Sequence, residues 1–273
     1  ADFCNRGITM ARKTTSYMPT DCKELCAALQ SVSSNKAVYQ VFEDWLAISA
    51  ISISSYIDPI HYDEREKEYQ RIRSGYTDGE MDKLAKCLNI LTNVMTEKIT
   101  TVGYKDILGE VFHALNLHDK YKGQFFTPSH ICEFMGEVSL CNGTNILTDK
   151  VGESLYNKGY TSIYEPCIGS GGMVIGFAQA MHNNKLNPQQ QLLVTGVDID
   201  IKCVYMSYLQ LSLYGIPAVI YHGNSLTNGV WSTWYTPMYV IGGWENKLHI
   251  NNENLSNSDI TYEKNEDGQL MLF

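Results

Sequence analysis

The sequence predicts an α/β fold in which N-terminal helices precede a sheet of short buried strands. Apolar residues recur at helical spacing through much of residues 14–118, which is typical of amphipathic helices. Further along, residues 161–164 and 192–200 predict short buried strands, residues 218–226 predict a third strand and a turn, and helical patterns separate them. These two observations together favour an α/β protein over an all-helical one.

Length and composition fit a globular protein of the cell interior. The chain has 273 residues, 44% of them hydrophobic, which suffices for one large domain or two small ones. No apolar run approaches the length that crosses a membrane, and the N-terminus lacks the apolar core of a signal peptide. We therefore expect a cytoplasmic protein without membrane contact. Residues 1–13 are expected to be a disordered start, within which Met10 resembles a natural initiator.

Cysteine spacing and net charge argue against a zinc site and against a strongly basic DNA-binding surface. The eight cysteines include no C-x-x-C pair and no metal-ligand spacing with histidine, so no zinc site is expected. The formal net charge is −9. In proteins that bind a nucleic-acid backbone without a partner, basic residues supply most of the affinity. Contact with DNA would therefore be local, or would need help from a partner.

Residues 14–118 predict a helical domain with no catalytic constellation. Apolar positions from Val38 to Tyr56 follow helical spacing, and the alternating charges of Asp63–Glu68 predict a solvated helix face. Thr77-Asp-Gly-Glu80 matches a capping box, which predicts that a helix begins there. A further helix is predicted from Ile107 to Leu115.

The stretch from Thr161 to Met173 is the most informative part for function. A predicted strand runs through Glu165 and Pro166 into the turn Gly169-Ser170-Gly171-Gly172, and an apolar helix pattern follows. A strand, a glycine turn and a helix offer backbone N–H groups and a helix N-terminus to a ligand. The dinucleotide pattern G-x-G-x-x-G is not met, because Val174 occupies the position of the third glycine.

This stretch resembles the D-P-x-x-G-S-G motif of adenine-specific DNA methyltransferases, with Glu165 in place of the usual aspartate. In that family the motif forms the pocket for S-adenosylmethionine (SAM), which the resemblance implies as the cofactor. Upstream, the segment ending in Thr127-Pro128 resembles the G-x-F/Y-F/Y-T-P segment of the methylation subunits of type I restriction-modification systems. There, Thr-Pro lines the methionine end of SAM. Thr127 and Pro128 also suit a helix start.

Two later segments follow the same family order. A second predicted strand ends at Asp198, which the resemblance assigns to the ribose of SAM, with Asp200 as the next choice. The alternative is that one of these acids caps the following helix. After a third predicted strand, Gly-Asn-Ser-Leu resembles the segment whose polar residue hydrogen-bonds the adenine ring, so Asn224 takes that role; a simple turn is the alternative. The cofactor-binding residues that the resemblance implies are Gln124, Phe125, Phe126, Thr127, Pro128, Glu165, Pro166, Gly169, Ser170, Gly171, Gly172, Asp198, Ile199, Asn224, Ser225 and Leu226.

The catalytic N/D-P-P-Y/F motif of these enzymes is replaced in this sequence. In the family, its side-chain oxygen and a backbone carbonyl accept hydrogen bonds from the adenine amino group, and its aromatic ring stacks on the flipped base. After the strand-like segment 230–235 this chain has Thr236-Pro237-Met238-Tyr239. The register implies catalytic roles for Thr236, Pro237 and Tyr239, with the threonine as a weaker acceptor. The alternative is that Thr-Pro merely ends a strand.

The C-terminal part predicts a linker and a docking peptide. Residues 245–268 are rich in asparagine and acids and poor in apolar residues, which predicts a disordered linker. The last five residues resemble the Q-L-x-L-F peptide by which bacterial replication and repair proteins bind the sliding clamp. Packing of this apolar end on the protein's own core is the alternative. The clamp-binding residues would be Gln269, Leu270, Leu272 and Phe273.

Taken together, the motifs predict a helical domain at residues 14–118 and a truncated Rossmann-like SAM-dependent methyltransferase domain at residues 119–244. The resemblance implies a SAM-dependent DNA adenine methyltransferase-like protein of a bacterium, phage or mobile element. DNA, a specificity subunit and the sliding clamp are the implied partners. The alternatives are a SAM-binding but catalytically degenerate regulatory or decoy subunit, and a pure interaction module.

Overall fold

The computed structural model describes residues 22–117, 126–141 and 147–248. Within these ranges, helices precede and flank one four-stranded sheet. The predicted α/β class, with N-terminal helices leading into a small sheet, is therefore confirmed. No helix in these ranges is long and apolar enough to cross a membrane.

The N-terminal part consists of helices joined by short connections. Thr77 begins the longest helix as predicted: its hydroxyl accepts from the Glu80 N–H, and the Glu80 carboxylate accepts from the Thr77 N–H at 2.9 Å. This capping box satisfies donors that the first helical turn leaves free. The elements are α1 (Lys23–Gln30), α2 (Val38–Ser54), a 3₁₀ helix (Pro59–His61), α3 (Tyr62–Arg73), α4 (Asp78–Thr101) and α5 (Ile107–Ala114).

The second part alternates helices and strands. Its elements are α6 (Ser129–Cys141), α7 (Asp149–Lys158), β1 (Thr161–Glu165), α8 (Gly172–Asn183), α9 (Pro188–Gln191), β2 (Leu192–Asp198), α10 (Ile201–Leu213), β3 (Ala218–Asn224), β4 (Gly229–Tyr235) and α11 (Pro237–Ile241). The Gly, Asn, Asp and Lys residues of 140–160 predict a linker or surface excursion, but α7 lies within this segment. Thr148 caps its start, accepting from the Val151 N–H, and Gly159 ends it at a left-handed φ of 76°.

The sheet has the order β1-β2-β3-β4. The first three strands are parallel, so their carboxyl ends meet on one side, where Glu165 pairs with Gly196 and Asp198 with His222. Strand β4 runs antiparallel to β3 and returns to its amino end, where Tyr235 pairs with Val219. Whatever follows β4 is therefore carried away from the carboxyl ends of the parallel strands.

One hydrophobic core includes residues of both parts, from Trp45 and Phe112 to Val194 and Ile220. A buried arginine adds a polar connection between α3 and the sheet. Arg65 donates to the Asp58 carboxylate at 2.9 Å and to the Thr233 carbonyl at 2.6 Å, and its guanidinium lies 3.9 Å from the centre of the Trp234 ring. The predicted helical domain thus packs directly on the sheet.

The last described residues, 244–248, form a helical turn, and the predicted linker at 245–268 overlaps this turn. Trp244 is 1% exposed, and its ring packs edge-on against Tyr160 with centroids 5.0 Å apart. Leu248 adds to the same cluster. The rest of the predicted linker, the clamp-binding-like peptide 269–273 and the predicted disordered start 1–13 lie outside the described residues.

Candidate functional site

A glycine loop connects β1 to α8 at the carboxyl ends of the parallel strands. Gly169 and Gly171 adopt left-handed backbone angles, with φ of 56° and 92°. Residues other than glycine rarely adopt such angles. The Ile168 N–H donates to the Val197 carbonyl at 2.9 Å, so the loop is anchored on β2. Ser170, between the two glycines, is 2% exposed.

Asp198, at the end of β2, holds this loop from the other side. Its Oδ2 accepts from the Gly169 N–H and its Oδ1 accepts from the Asp200 N–H, both at 2.9 Å. Burial raises the pKa of the Asp198 carboxyl, while these backbone N–H donors oppose the rise. The structure thus brings together the glycine loop and the acid that sequence analysis assigned to the same pocket.

Ile199 and Asp200, which follow Asp198 in the sequence, are not among the residues that hold the loop. Asp200 caps α10, accepting from the Lys202 N–H at 3.0 Å, and its carboxylate lies 3.5 Å from the Lys202 ammonium. The capping alternative is therefore the correct one for Asp200. Ile199 is 61% exposed.

A cavity of about 250 Å³ opens between the glycine loop, Asp198 and the segment before α6. The Phe126 ring forms one wall and packs edge-on against Phe112, with centroids 4.7 Å apart. A Cβ added at Gly169 would lie 3.2 Å from the Phe126 ring, so glycine at this position permits the close approach. Thr127 and Pro128 lead into α6, while Gln124 and Phe125 lie outside the described residues. The lining residues are Phe126, Thr127, Cys132, Cys167, Ile168, Gly169, Ser170, Gly172, Met173, Asp198 and Cys203.

Glu165 lines a second, larger groove of about 910 Å³ beside β1, α6 and α7. Met173 lines both this groove and the smaller cavity, so the two adjoin. The Glu165 carboxylate accepts from the Cys167 N–H at 3.2 Å, across the turn that contains Pro166. Burial raises the pKa of Glu165, and the Asp198 charge adds to the rise.

Asn224 lies at the carboxyl end of β3, but its side chain is engaged locally. Its Oδ1 accepts from the Leu226 N–H at 3.0 Å, which closes the turn before β4. Ser225 belongs to this turn, and Leu226 is 93% exposed. None of these three residues lines the cavity beside the glycine loop.

The predicted catalytic residues Thr236, Pro237 and Tyr239 lie at the other end of the sheet from the glycine loop, and their catalytic role stays a prediction. The Thr236 hydroxyl accepts from the Ala218 N–H at 2.9 Å and donates to the Ile216 carbonyl at 2.8 Å, and the residue is fully buried. Pro237 is the first residue of α11, and the buried Tyr239 stacks on Tyr235 with centroids 5.3 Å apart. The physical reason is the antiparallel direction of β4, which carries Thr236 to the amino end of β3.

Two buried polar residues next to the loop were missed by the sequence analysis. Asp106, which precedes α5, accepts from the Ser170 hydroxyl at 2.6 Å, and Gln210 of α10 donates to the Ser170 carbonyl at 2.8 Å. An aspartate just before an apolar helix pattern signals an N-cap, and Asp106 does accept from the Gly109 N–H. That signal gives no indication of a contact with Ser170, 64 residues away in sequence.

Comparison with known families identifies the class of protein that this fold and site represent. The chain belongs to the N-6 DNA Methylase family, whose model matches residues 104–271. The resemblance to adenine-specific DNA methyltransferases is therefore confirmed. A search of the curated proteins finds no match.

Two solved structures resemble the chain. One is a putative class I SAM-dependent methyltransferase from Listeria monocytogenes, at 13% identity and a TM-score of 0.39, covering 76% of this chain and 55% of that one. The other is the methyltransferase subunit of a type I restriction-modification system from Streptococcus thermophilus, at 14% identity and a TM-score of 0.37, covering 78% of this chain and 59% of that one. The chain thus spans a little over half the length of each.

Proposed function

We propose that this chain binds SAM at the carboxyl ends of β1 and β2 and serves as the cofactor-holding part of a DNA adenine methyltransferase. The observation that carries the proposal is the hydrogen bond from the Gly169 N–H to Asp198. It fixes a strand, glycine loop and helix beside an acid at the end of the neighbouring strand. Such a loop leaves backbone N–H groups available to a polar ligand, and an acid at this place suits ribose hydroxyls.

The dimensions of the site are compatible with SAM when both cavities are counted. The cavity of about 250 Å³ falls below the roughly 300–1,000 Å³ of typical small-molecule sites. The adjoining groove at Met173 extends it toward Glu165, whose carboxylate suits a polar or cationic portion of the ligand. Phe126 and Thr127 would form the wall, and Asp198 would accept the ribose hydroxyls with its remaining lone pairs. When bound, SAM supplies the activated methyl group.

A second candidate is a SAM-binding subunit that does not catalyse methyl transfer by itself, with a regulatory or decoy role. The position of Thr236 favours it, because that hydroxyl is saturated by Ala218 and Ile216 far from the glycine loop. In this case the adenine-binding groups would come from a partner. The third candidate is a pure interaction module, which would retain the loop without binding SAM.

The partners follow from this function as proposals. DNA is the substrate, and a specificity subunit would supply target recognition and the positive charge that a chain of net charge −9 lacks. The C-terminal Q-L-x-L-F peptide would attach the protein to a bacterial sliding clamp. A bacterial, phage or mobile-element origin and a cytoplasmic location belong to the same proposal.

Calorimetric titration with SAM tests the proposal, and two glycines provide matched variants. We expect micromolar binding, about −8 kcal/mol, for the wild type. Gly171→Asp should abolish it, because the variant strains a left-handed residue and adds a negative charge at the loop. Gly159 is also left-handed, with a φ of 76°, but ends α7. Gly159→Asp should therefore show similar backbone strain and unchanged SAM affinity, although its new side chain is exposed whereas that of Gly171→Asp would lie against Ser207. A wild type without measurable binding at millimolar SAM would contradict the proposal and favour the interaction module.

A further inference from the structure

A buried polar cluster joins the N-terminal part of the chain to the glycine loop. Its members are Asp106, Ser170 and Gln210, which are 5%, 2% and 0% exposed. They come from three places in the fold: the start of α5, the loop between β1 and α8, and the middle of α10. Asp106 does not line the cavity assigned to SAM. Its contacts Ser170 and Gly172 do line that cavity.

Hydrogen bonds join all three residues of the cluster to one another. Asp106 Oδ1 accepts from the Gly109 N–H at 2.9 Å and from Gln210 Nε2 at 2.8 Å, while Oδ2 accepts from the Ser170 hydroxyl at 2.6 Å. Gln210 Nε2 also donates to the Ser170 carbonyl at 2.8 Å, and its Oε1 accepts from the Leu108 N–H at 3.1 Å. Ser170 is thus held by both its side chain and its backbone.

The close approach of Asp106 also explains a glycine that sequence analysis assigned to ligand binding. A Cβ added at Gly172 would lie 2.9 Å from Asp106 Oδ2 and 3.3 Å from the Cys132 sulfur. Asp106 therefore sits against the first residue of α8 as well as capping α5. Two helix N-termini, which carry partial positive charge, favour a carboxylate at this buried position.

Ser170 is the residue at which this cluster acts on the loop. It lies between Gly169 and Gly171, whose backbones have more conformational freedom than those of other residues. If the loop were not already ordered, this freedom would be lost when a ligand binds, at a cost in affinity. We propose that Asp106 is a positioning residue for the cofactor. Through Ser170 and Gln210 it holds the glycine loop in its binding conformation before SAM arrives. This inference rests on the proposed function of SAM binding.

The test compares full-length variants by calorimetric titration with SAM. Asp106→Ala should raise the dissociation constant about tenfold, because the loop must be ordered at the moment of binding. Asp106→Asn should restore part of the affinity, giving an increase of about threefold, since its carbonyl still accepts two bonds and its amide can donate to Ser170. Ser170→Ala should resemble Asp106→Ala, and it keeps the test usable if the latter does not fold.

Asp58→Asn is the matched control. Asp58 is also 5% exposed and also caps a helical turn, but it binds Arg65 rather than the loop. This variant should lower the melting temperature while leaving the SAM dissociation constant unchanged. A role of Asp106 in stability alone would make the two aspartate variants behave alike.

Hydrogen exchange without SAM separates this inference from the proposed function. The peptide covering residues 166–173 should exchange faster in Asp106→Asn and Ser170→Ala than in the wild type and Asp58→Asn. Unchanged exchange and unchanged affinity in Asp106→Asn and Ser170→Ala would overturn the inference, even where the wild type binds SAM. If the wild type does not bind SAM, the proposed function fails and exchange alone decides whether Asp106 holds the loop.

Discussion

The Gly169 N–H donates to the Asp198 carboxylate at 2.9 Å, and this bond joins the glycine loop to the end of β2. The same carboxylate accepts from the Asp200 N–H, whose own side chain caps α10. One acid thus organises the loop while the other organises the helix. Asp198, and not Asp200, is therefore the acid that remains available beside the cavity.

The first prediction concerns the pH dependence of stability at Asp198. Burial raises its pKa above the ordinary 3.8, so the folded state binds the proton more tightly than the unfolded state. The contribution of Asp198 to stability is therefore largest at low pH and is lost as pH rises through the raised pKa. Asp198→Asn has no such proton, so the wild type should lose stability relative to the variant as pH rises from the ordinary 3.8 through the raised pKa.

Thermal unfolding of both proteins across this pH range measures the effect. Acid groups that do not interact with Asp198 contribute equally to both curves and cancel in the difference. Glu165 does not cancel, because the Asp198 charge raises its pKa in the wild type, and its contribution has the same sign as that of Asp198. A difference in stability that stays constant with pH would show that the pKa of Asp198 is not raised by folding.

The second prediction concerns Thr236. Thr236→Val keeps the shape but leaves the buried Ala218 N–H and Ile216 carbonyl without the hydroxyl, which should cost about 1–3 kcal/mol of unfolding free energy. Thr236→Ser keeps the hydroxyl and should lose less. Urea unfolding gives the stabilities, and titration with SAM should give equal dissociation constants for all three proteins. A stable Thr236→Val variant with altered SAM affinity would contradict the structural role.

The third prediction concerns the buried Arg65. Arg65→Ala would remove the guanidinium partner of Asp58, which is 5% exposed, and removing one member of a buried pair costs about 3–5 kcal/mol. His61, whose Nδ1 lies 2.9 Å from the same carboxylate, remains, so the loss should fall at the lower end of this range. Arg71 on the same helix provides the control, since it pairs with Glu68 and its side chain is 67% exposed. Arg71→Ala should cost about 0–1 kcal/mol. Chemical unfolding measures the stability of both variants. Equal losses of unfolding free energy would show that the buried pair stabilises the protein no more than the exposed pair does.

Local signals predicted the parts of the fold and site that depend on neighbouring residues. The capping box at Thr77 and the strand before the glycine loop follow from short patterns, and the family resemblance placed Asp198 in the same pocket as the loop. Helix α7 escaped because its ends are set by Thr148 and Gly159, while its ten residues carry large apolar side chains only at Val151, Leu155 and Tyr156.

Long-range relationships could not be predicted in the same way. The spacing of Thr236 from the third strand matched a family register, but that spacing says nothing about strand direction. A hairpin turn at Asn224 reversed the chain and moved Thr236 to the amino end of β3. The contact of Asp106 with Ser170 is likewise a product of tertiary packing, which no local pattern encodes.

The last prediction concerns the C-terminal peptide, which lies outside the described residues. A peptide of residues 264–273 should bind a bacterial sliding clamp, because glutamine offers an amide for orientation while Leu270, Leu272 and Phe273 offer apolar anchors. Fluorescence polarisation measures it, with a scrambled peptide of the same composition as the control. Deletion of Leu272 and Phe273 should remove binding. Attachment to a ring around DNA would raise the local DNA concentration without basic residues, which suits a net charge of −9. Equal polarisation for the native and scrambled peptides would exclude this route to DNA.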